Sequence, residues 1–193
     1  MKSWQFVIGS MLIGLAGFAQ AATIVVTTHL DIVGNDGLCS LREAMLNAEN
    51  ANQSASTDCA AGSVGGNQIL FAAPLIGSTI ELAGQALPTI TRSLEIVGPI
   101  RGNPSALTIS AEAASRIFVA DGADGLLVSD LTLILGRPFS DADPGSTIYL
   151  ADSSPVRLER LVVESGIAEG AGNNGGAIFS SKSTSKCLKQ AWA

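Results

Sequence analysis

The residues best placed for chemistry near the start of the chain lie in GNDGLCSLREAMLNA, residues 34–48. This segment puts a thiol, a guanidinium and a carboxylate (Cys39, Arg42 and Glu43) within five positions. A catalytic cysteine would need a histidine as its base, and the chain has a single histidine, His29. The alternative is that the segment is scaffolding, which the elements around it favour.

A second set of reactive groups consists of aspartates in the C-terminal half. A glycosidase needs two carboxylates that face one cleft, and a calcium-dependent lyase needs clustered carboxylates beside a basic residue. Most of these aspartates adjoin Gly, Pro or Ser, where aspartate is an ordinary turn residue, so turns explain them better than catalysis does. The candidates are Asp121, Asp124, Asp130, Asp141, Asp143 and Asp152, with the densest cluster in RPFSDADPG at 137–145.

The N-terminus has the pattern of a secretory signal peptide over residues 1–21. Lys2 precedes an apolar run at 6–18, and AQA at 19–21 is a small-x-small cleavage site. An uncleaved membrane anchor is the alternative. No second hydrophobic span follows, so we expect a secreted or cell-surface protein with no membrane span in the mature chain.

Composition limits the partners. The chain has 17 acidic and 11 basic residues and a net charge of −6, which excludes nucleic acid because phosphates need a basic surface. Aromatic residues are 5% of the chain and there are 21 glycines. We therefore expect an aliphatic core with many turns.

In an exported chain, Cys39 and Cys59 are natural disulfide partners. Their loop of about twenty residues would contribute about 3 kcal/mol to stability. Zinc is the competing interpretation, but the chain has no CxxC spacing and His29 is its one histidine. We expect a structural disulfide, with no metal and no cofactor.

A short helix is predicted inside the opening segment. The β-branched run at 22–28 predicts a strand before it, and Ser40 with Glu43 forms the S-x-x-E capping box that begins a helix. Residues 50–66 have loop composition. The apolar stripe of the helix consists of Leu41, Ala44, Met45 and Ala48, whereas Arg42, Glu43, Asn47 and Glu49 lie off it.

From residue 67 onward, short apolar runs alternate with turn residues, which predicts an all-β domain. The segments 125–136 and 155–166 align at an offset of thirty residues and pair Val128 with Leu158. A repeat of this length indicates a solenoid. We therefore predict a parallel β-helix, whose full turns (rungs) have glycine or asparagine at their corners. A sandwich of hairpins is the alternative, but the two-residue turns it requires are scarce.

The open end of a β-helix exposes its core and must be covered. We expect the helix to plug the first rung with Leu41, Ala44 and Met45, while Arg42 and Glu43 face outward or bond to loop backbone. Replacing Arg42 by alanine should then be mild by comparison with Met45→Asp. The opening segment is interpreted as scaffolding.

The chain is expected to divide into a signal peptide (1–21), a strand, cap helix and loop (22–66), β-helix rungs (67–179) and a tail (180–193). No lysine lies between Ser3 and Ser181, and then three follow closely. The tail is therefore expected to be disordered and outside the rungs, as if the chain were cut from a longer protein. The alternative is a genuine short tail that serves as a cap or a linker. An open C-terminal edge would allow self-association.

The six letters CSLREA at 39–44, with NDG before them and DC at 58–59, resemble the CSLREA domain of bacterial exported proteins. The resemblance covers about residues 22–98 and implies a secreted or surface-displayed right-handed parallel β-helix. GGAIF at 175–179 resembles the GGAI motif of polymorphic outer membrane proteins, although its usual companion F-x-x-N is absent.

Two functions follow from these predictions. The first is a non-enzymatic secreted or cell-surface protein, structural or adhesin-like, whose partner is an unidentified surface ligand or carbohydrate. The alternative is a polysaccharide lyase or glycoside hydrolase on the same scaffold. Fold does not choose between them.

Overall fold

The chain forms a right-handed parallel β-helix with one short α-helix in its described part, as predicted. The computed structural model describes residues 21–138, 147–166, 177–181 and 185–188. The predicted signal peptide therefore lies outside the described residues apart from Ala21. Within these ranges, no helix is long and apolar enough to cross a membrane.

The α-helix, α1, spans Leu41–Asn50, and short 3-10 helices span Ala73–Leu75 and Pro104–Ala106. The strands are β1 Ala22–Val26, β2 Asn67–Phe71, β3 Ser78–Glu81, β4 Leu94–Val97, β5 Leu107–Ser110, β6 Phe118–Asp121, β7 Leu126–Ser129, β8 Thr132–Ile134, β9 Ile148–Ala151, β10 Val156–Glu159, β11 Val162–Glu164, β12 Ile178–Ser181 and β13 Ser185–Leu188.

Three parallel sheets run along the solenoid. Sheet A has the order β1-β2-β4-β7-β10-β13, sheet B has β3-β5-β8-β11, and sheet C has β6-β9-β12. From β4 onward the chain visits sheets A, B and C in turn, so that each rung adds one strand to every sheet. Residues 51–66, between α1 and β2, contain no helix or strand, so the predicted loop is confirmed except for Asn50, which ends α1.

The register confirms the thirty-residue repeat, because Val128 pairs with Leu158 and Leu133 pairs with Val163. Inward-facing aliphatic side chains stack from rung to rung along each sheet. In sheet A this ladder consists of Ile24, Ile69, Ile96, Val128 and Leu158. The side chains are buried, so each rung is stabilised by apolar area that it removes from water on the neighbouring rung.

The corners that follow the sheet A strands depart from the prediction of glycine or asparagine. Gly98 follows β4, but Asp130 follows β7 and Arg160 follows β10, with φ angles of 59° and 50°. A Cβ atom at Gly98 would lie 1.8 Å from the carbonyl oxygen of Asp130. At Gly98 the space next to the following rung therefore requires glycine, whereas the next two corners hold charged residues in the left-handed region.

The strand pairing moves both predicted boundaries of the β-helix. β1 pairs in parallel with β2, so the N-terminal strand belongs to sheet A. β12 runs to Ser181, and the backbone of Ser185–Leu188 pairs with β10. The expectation that residues after 179 lie outside the rungs is corrected for these residues, because their backbone extends two sheets. Residues 182–184 and 189–193 lie outside the described part.

We predict that Gly98→Ala lowers the free energy of unfolding by about 3 kcal/mol, because the added methyl group would overlap the backbone of the next rung. Gly34→Ala is the matched control, since no atom lies within 4 Å of its added Cβ. Urea unfolding followed by circular dichroism measures both variants. Equal midpoints would contradict the proposed close approach.

Candidate functional site

The cap helix α1 closes the N-terminal end of the solenoid, as predicted. It packs against β1 and β2. Leu41, Ala44 and Met45 are each at most 1% exposed and join the core that contains Ile24 and Val26. The helix therefore supplies the apolar layer that a preceding rung would otherwise provide.

The capping box at the start of α1 is complete. The Glu43 N–H donates to Ser40 Oγ at 3.2 Å, and the Ser40 N–H donates to Glu43 Oε2 at 2.9 Å. Glu43 Oε1 accepts a further bond from the Gly34 N–H at 2.9 Å. Glu43 is 1% exposed, so of the two expectations for this residue, bonding to loop backbone is correct and facing outward is wrong.

The predicted disulfide is present. Cys39 and Cys59 are bonded with a Cα–Cα distance of 4.9 Å across a separation of twenty residues, and both are buried. Cys39 directly precedes the N-cap residue Ser40. The bond therefore ties the start of α1 to the loop that follows the helix.

Arg42 is a structural link rather than a free cation. Its guanidinium forms a bidentate ion pair with Asp31, at 2.8 Å from Nε and 2.7 Å from Nη2. It also donates to the carbonyl oxygens of Ala86 and Gln85. The Asp31 side chain is 1% exposed and accepts from the Ala83 N–H. Arg42 thus joins the loop before the helix to the loop after β3.

Asn47 is a polar core residue that the helical pattern placed on the outer face. It is fully buried, and its Nδ2 donates to the carbonyl oxygens of Ser56 and Ala60. Its Oδ1 accepts from the N–H groups of Ala55 and Ser56. The loop at 52–62 folds over this face of α1, and no helical periodicity reports such a contact.

The candidate aspartates do not form a catalytic pair among the described residues. Asp121, Asp124 and Asp152 are exposed; Asp121 ends β6, and the other two lie at bends between strands. Asp141 and Asp143, with most of the 137–145 cluster, lie outside the described residues. Of the four candidates in the described ranges, only Asp130 is buried, and it pairs with a cation rather than with a second carboxylate.

Asp130 and Arg160 occupy equivalent corners of successive rungs and form a bidentate ion pair. Arg160 donates to the two carboxylate oxygens of Asp130 at 2.6 and 2.8 Å, and the Gly102 N–H donates to Oδ1 at 2.7 Å. Arg160 also bonds Glu159, which pairs with Arg157. This cluster fixes one rung to the next along the chain.

The ion pairs shift the pKa values of Asp130, Glu159 and Arg160 in the direction that keeps these three groups charged. Hydrogen bonding from Arg160 holds the pKa of Asp130 below its ordinary value, although burial opposes the shift. Bonds from Arg157 and then Arg160 lower the pKa of Glu159. The Asp130 carboxylate in turn raises the pKa of Arg160. A carboxylate held ionised in this way is unsuited to act as a general acid at neutral pH.

His29 lies beside a surface cleft at the N-terminal end. The cleft has a volume of about 430 Å³ and is lined by His29, Leu30, Asp31, Ser78, Thr79 and Glu81. In the described ranges, no three histidine, cysteine or carboxylate side chains are grouped closely enough to hold a metal ion. The cleft thus offers an imidazole, hydroxyl groups and carboxylates next to the edge of sheet B.

No protein-family model matches the chain, and no curated protein or solved structure matches it. The resemblance to the CSLREA domain therefore stays a prediction.

Met45→Asp should abolish cooperative folding or lower the free energy of unfolding by more than about 4 kcal/mol, because it puts a carboxylate into the apolar layer under α1. Met45→Leu keeps the volume and polarity and should cost less than about 1.5 kcal/mol. Thermal unfolding of the two variants tests the cap. A stable Met45→Asp protein would show that the helix does not close the core.

Arg42→Ala should lower the free energy of unfolding by about 3 kcal/mol, because it leaves the buried Asp31 carboxylate without its cation. Arg157→Ala is the control. The Arg157 side chain is 54% exposed, so its loss should cost less than about 1 kcal/mol. Denaturant unfolding measures both, and equal effects would refute the linking role of Arg42.

Asp130→Asn should destabilise the protein by about 1–3 kcal/mol at neutral pH, while asparagine still tolerates the left-handed backbone. Since the folded state lowers the pKa of Asp130, the contribution of the carboxylate is complete above about pH 5 and disappears as the pH falls through the lowered pKa. The difference between wild type and variant should therefore shrink on acidification. Unfolding curves at neutral and acid pH check this, with the exposed Asp124→Asn as control; a pH-independent difference would contradict the charge argument.

Proposed function

We propose that this protein is a non-enzymatic, exported β-helix of the CSLREA type, which displays a rigid solenoid at or beyond the cell surface. The proposal rests on one observation, namely the bonding partners of the reactive side chains at 39–47. Cys39 is in a disulfide, Glu43 and Asn47 bond to backbone, and Arg42 pairs with Asp31. Each group that could do chemistry there has a structural partner.

The disulfide supports export. Disulfides persist in oxidising compartments and are rare in the cytosol, and this one lies in the core beneath the cap. Its loop begins next to Ser40, so reduction would release the N-terminus of the plugging helix. The proposal combines this dependence with the signal-peptide pattern of residues 1–21.

The solenoid also supports a display role. Parallel rungs give extended flat faces whose outward side chains change without affecting the core. In sheet A, for example, Glu95 and Arg157 point outward and are exposed, while their neighbours Ile96 and Leu158 are buried. Such a face suits an adhesin-like protein that binds a surface ligand or a carbohydrate.

The test is expression of the whole chain in a bacterial host with an oxidising envelope compartment. Mass spectrometry should find a mature N-terminus near Ala21 or Ala22, and non-reducing peptide mapping should find Cys39 linked to Cys59. A matched chain without residues 1–21 should stay in the cytosol. Retention of the whole chain in the cytosol with free thiols would overturn the proposal.

The enzyme alternative is tested on the same purified protein. Neutral and acidic polysaccharides are incubated with it, with and without calcium, and reducing ends and unsaturated products are measured. We expect no turnover. Turnover that Asp141→Asn or Asp143→Asn abolishes, in a protein that remains folded, would replace the structural function by a lyase or hydrolase.

A further inference from the structure

The first rung of the solenoid lacks most of its strand in sheet B. In the next four rungs a sheet A strand is followed by a sheet B strand, as β2 is by β3 and β4 is by β5. After β1, only Leu30 takes this position, as a single parallel bridge to Glu81. On the side that faces the first rung, β3 therefore has almost no partner strand among the described residues.

The corresponding edge of sheet C shows what a covered edge looks like in this protein. There the segment 87–90 lies along β6, with backbone bonds from Leu87 to Ile117 and from Ile90 to Val119, and one from Asp121 back to Ile90. Of residues 28–32, by contrast, only Leu30 is bridged to β3, at Glu81, and no second bridge follows in the described structure. The Asp31 carboxylate, which accepts from the Ala83 N–H, contacts the loop beyond β3 instead.

Space is available where the missing strand would lie. The cleft of about 430 Å³ has Ser78, Thr79 and Glu81 of β3 on one side and residues 29–31 on the other. This volume is within the range of small-ligand sites. Unpaired strand edges accept an extended peptide by main-chain hydrogen bonding, in the manner of β-augmentation.

Apolar exposure is concentrated at the same end of the molecule. Among the described residues, eight large aliphatic side chains are exposed, and all but Ile100 lie between Val25 and Ile76. Leu30, which lines the cleft, is 48% exposed. An added strand would cover apolar surface here as well as satisfy backbone groups.

Charge selects the kind of peptide. Of the two carboxylates in the cleft, Asp31 is already neutralised by Arg42. Glu81 is exposed and makes no ion pair within the described ranges. Thr79 and Glu81 lie on the outward face of β3, on either side of the buried Ile80. The free carboxylate is thus placed beside alternate side chains of an incoming strand, where a cation would be favoured.

We propose that the edge of β3 is a docking site for an extended, lysine- or arginine-containing peptide segment of a partner protein, which completes the first rung as a strand of sheet B. The proposal does not depend on export or on the absence of catalysis, because it concerns only the edge of β3 and the cleft beside it.

The probe is an acetylated, amidated hexapeptide of alternating threonine and lysine, titrated into the folded whole chain at low salt. Two comparison peptides are used, one with glutamate in place of lysine and one with alternate backbone amides N-methylated. Calorimetry gives the Kd, and amide hydrogen exchange by NMR locates the contact. We expect the lysine peptide to bind and to slow exchange within Ser78–Glu81, and both comparison peptides to bind at least tenfold more weakly.

Three variants separate the contributions. Thr79→Lys puts a like charge on the edge strand and should weaken binding of the lysine peptide at least tenfold. Glu81→Gln should weaken it about two- to fivefold, the effect of one exposed ion pair. Thr23→Lys, on the exposed face of β1, should leave the Kd unchanged, and circular dichroism confirms that all three are folded.

Equal binding of the N-methylated peptide would overturn strand addition, because the cleft would then recognise side chains alone. Equal binding of the glutamate peptide would overturn the charge preference. Loss of binding in Thr23→Lys but not Thr79→Lys would move the site to β1, and no binding of any peptide would refute the docking site.

Discussion

The stacking of each inward aliphatic side chain on its equivalent in the next rung is the constraint on which the rest of this structure depends. The sheet A ladder from Ile24 to Leu158 shows it most simply, because every member is buried and each member after Ile24 lies between strands of two neighbouring rungs. Burial in such a ladder needs neighbours in both directions along the axis. The end of the solenoid therefore has to be built from something other than a rung, and α1 has that role.

Each of the six residues at 39–44 has a role in closing the N-terminal end of the solenoid. Cys39 fixes the helix start, Ser40 and Glu43 satisfy its free N–H groups, and Leu41 and Ala44 fill the core. Arg42 holds the two loops that flank the closed end. Burying Glu43 would be costly if its carboxylate lacked donors, but two backbone N–H groups and the start of a helix offset that cost. The residues at 39–44, which look like a reactive cluster in the sequence, thus cap the helix and close the end of the core.

The sequence was sufficient for features whose signal is local or periodic. The capping box follows from a short spacing, and the thirty-residue register between β7 and β10 follows from repeated apolar residues. The disulfide follows from two cysteines in a chain that is expected to be exported. Features that depend on a distant partner were missed. Asn47 is buried because a loop beyond the helix covers it. Asp130 and Arg160 lie thirty residues apart at equivalent corners and have left-handed backbone angles, which were expected of glycine or asparagine. Their side chains form an ion pair between the two rungs.

The cap and the free edge of sheet B have a common cause. The N–H groups of Thr27 and Thr28 both donate to the Cys39 carbonyl oxygen, and the Cys39 N–H donates to Thr27 Oγ1. These bonds bring the two ends of the loop between Thr28 and Cys39 together. In later rungs the chain continues from this point into sheet B. The residues between must therefore leave the sheet after one bridge at Leu30 in order to return to the start of α1. A full strand beside β3 would need residues of this same loop. Those residues instead let the Gly34 N–H donate to Glu43 and let Asp31 pair with Arg42. The contacts that seal the core at this end are hence the ones that keep residues 28–34 from forming a full strand beside β3.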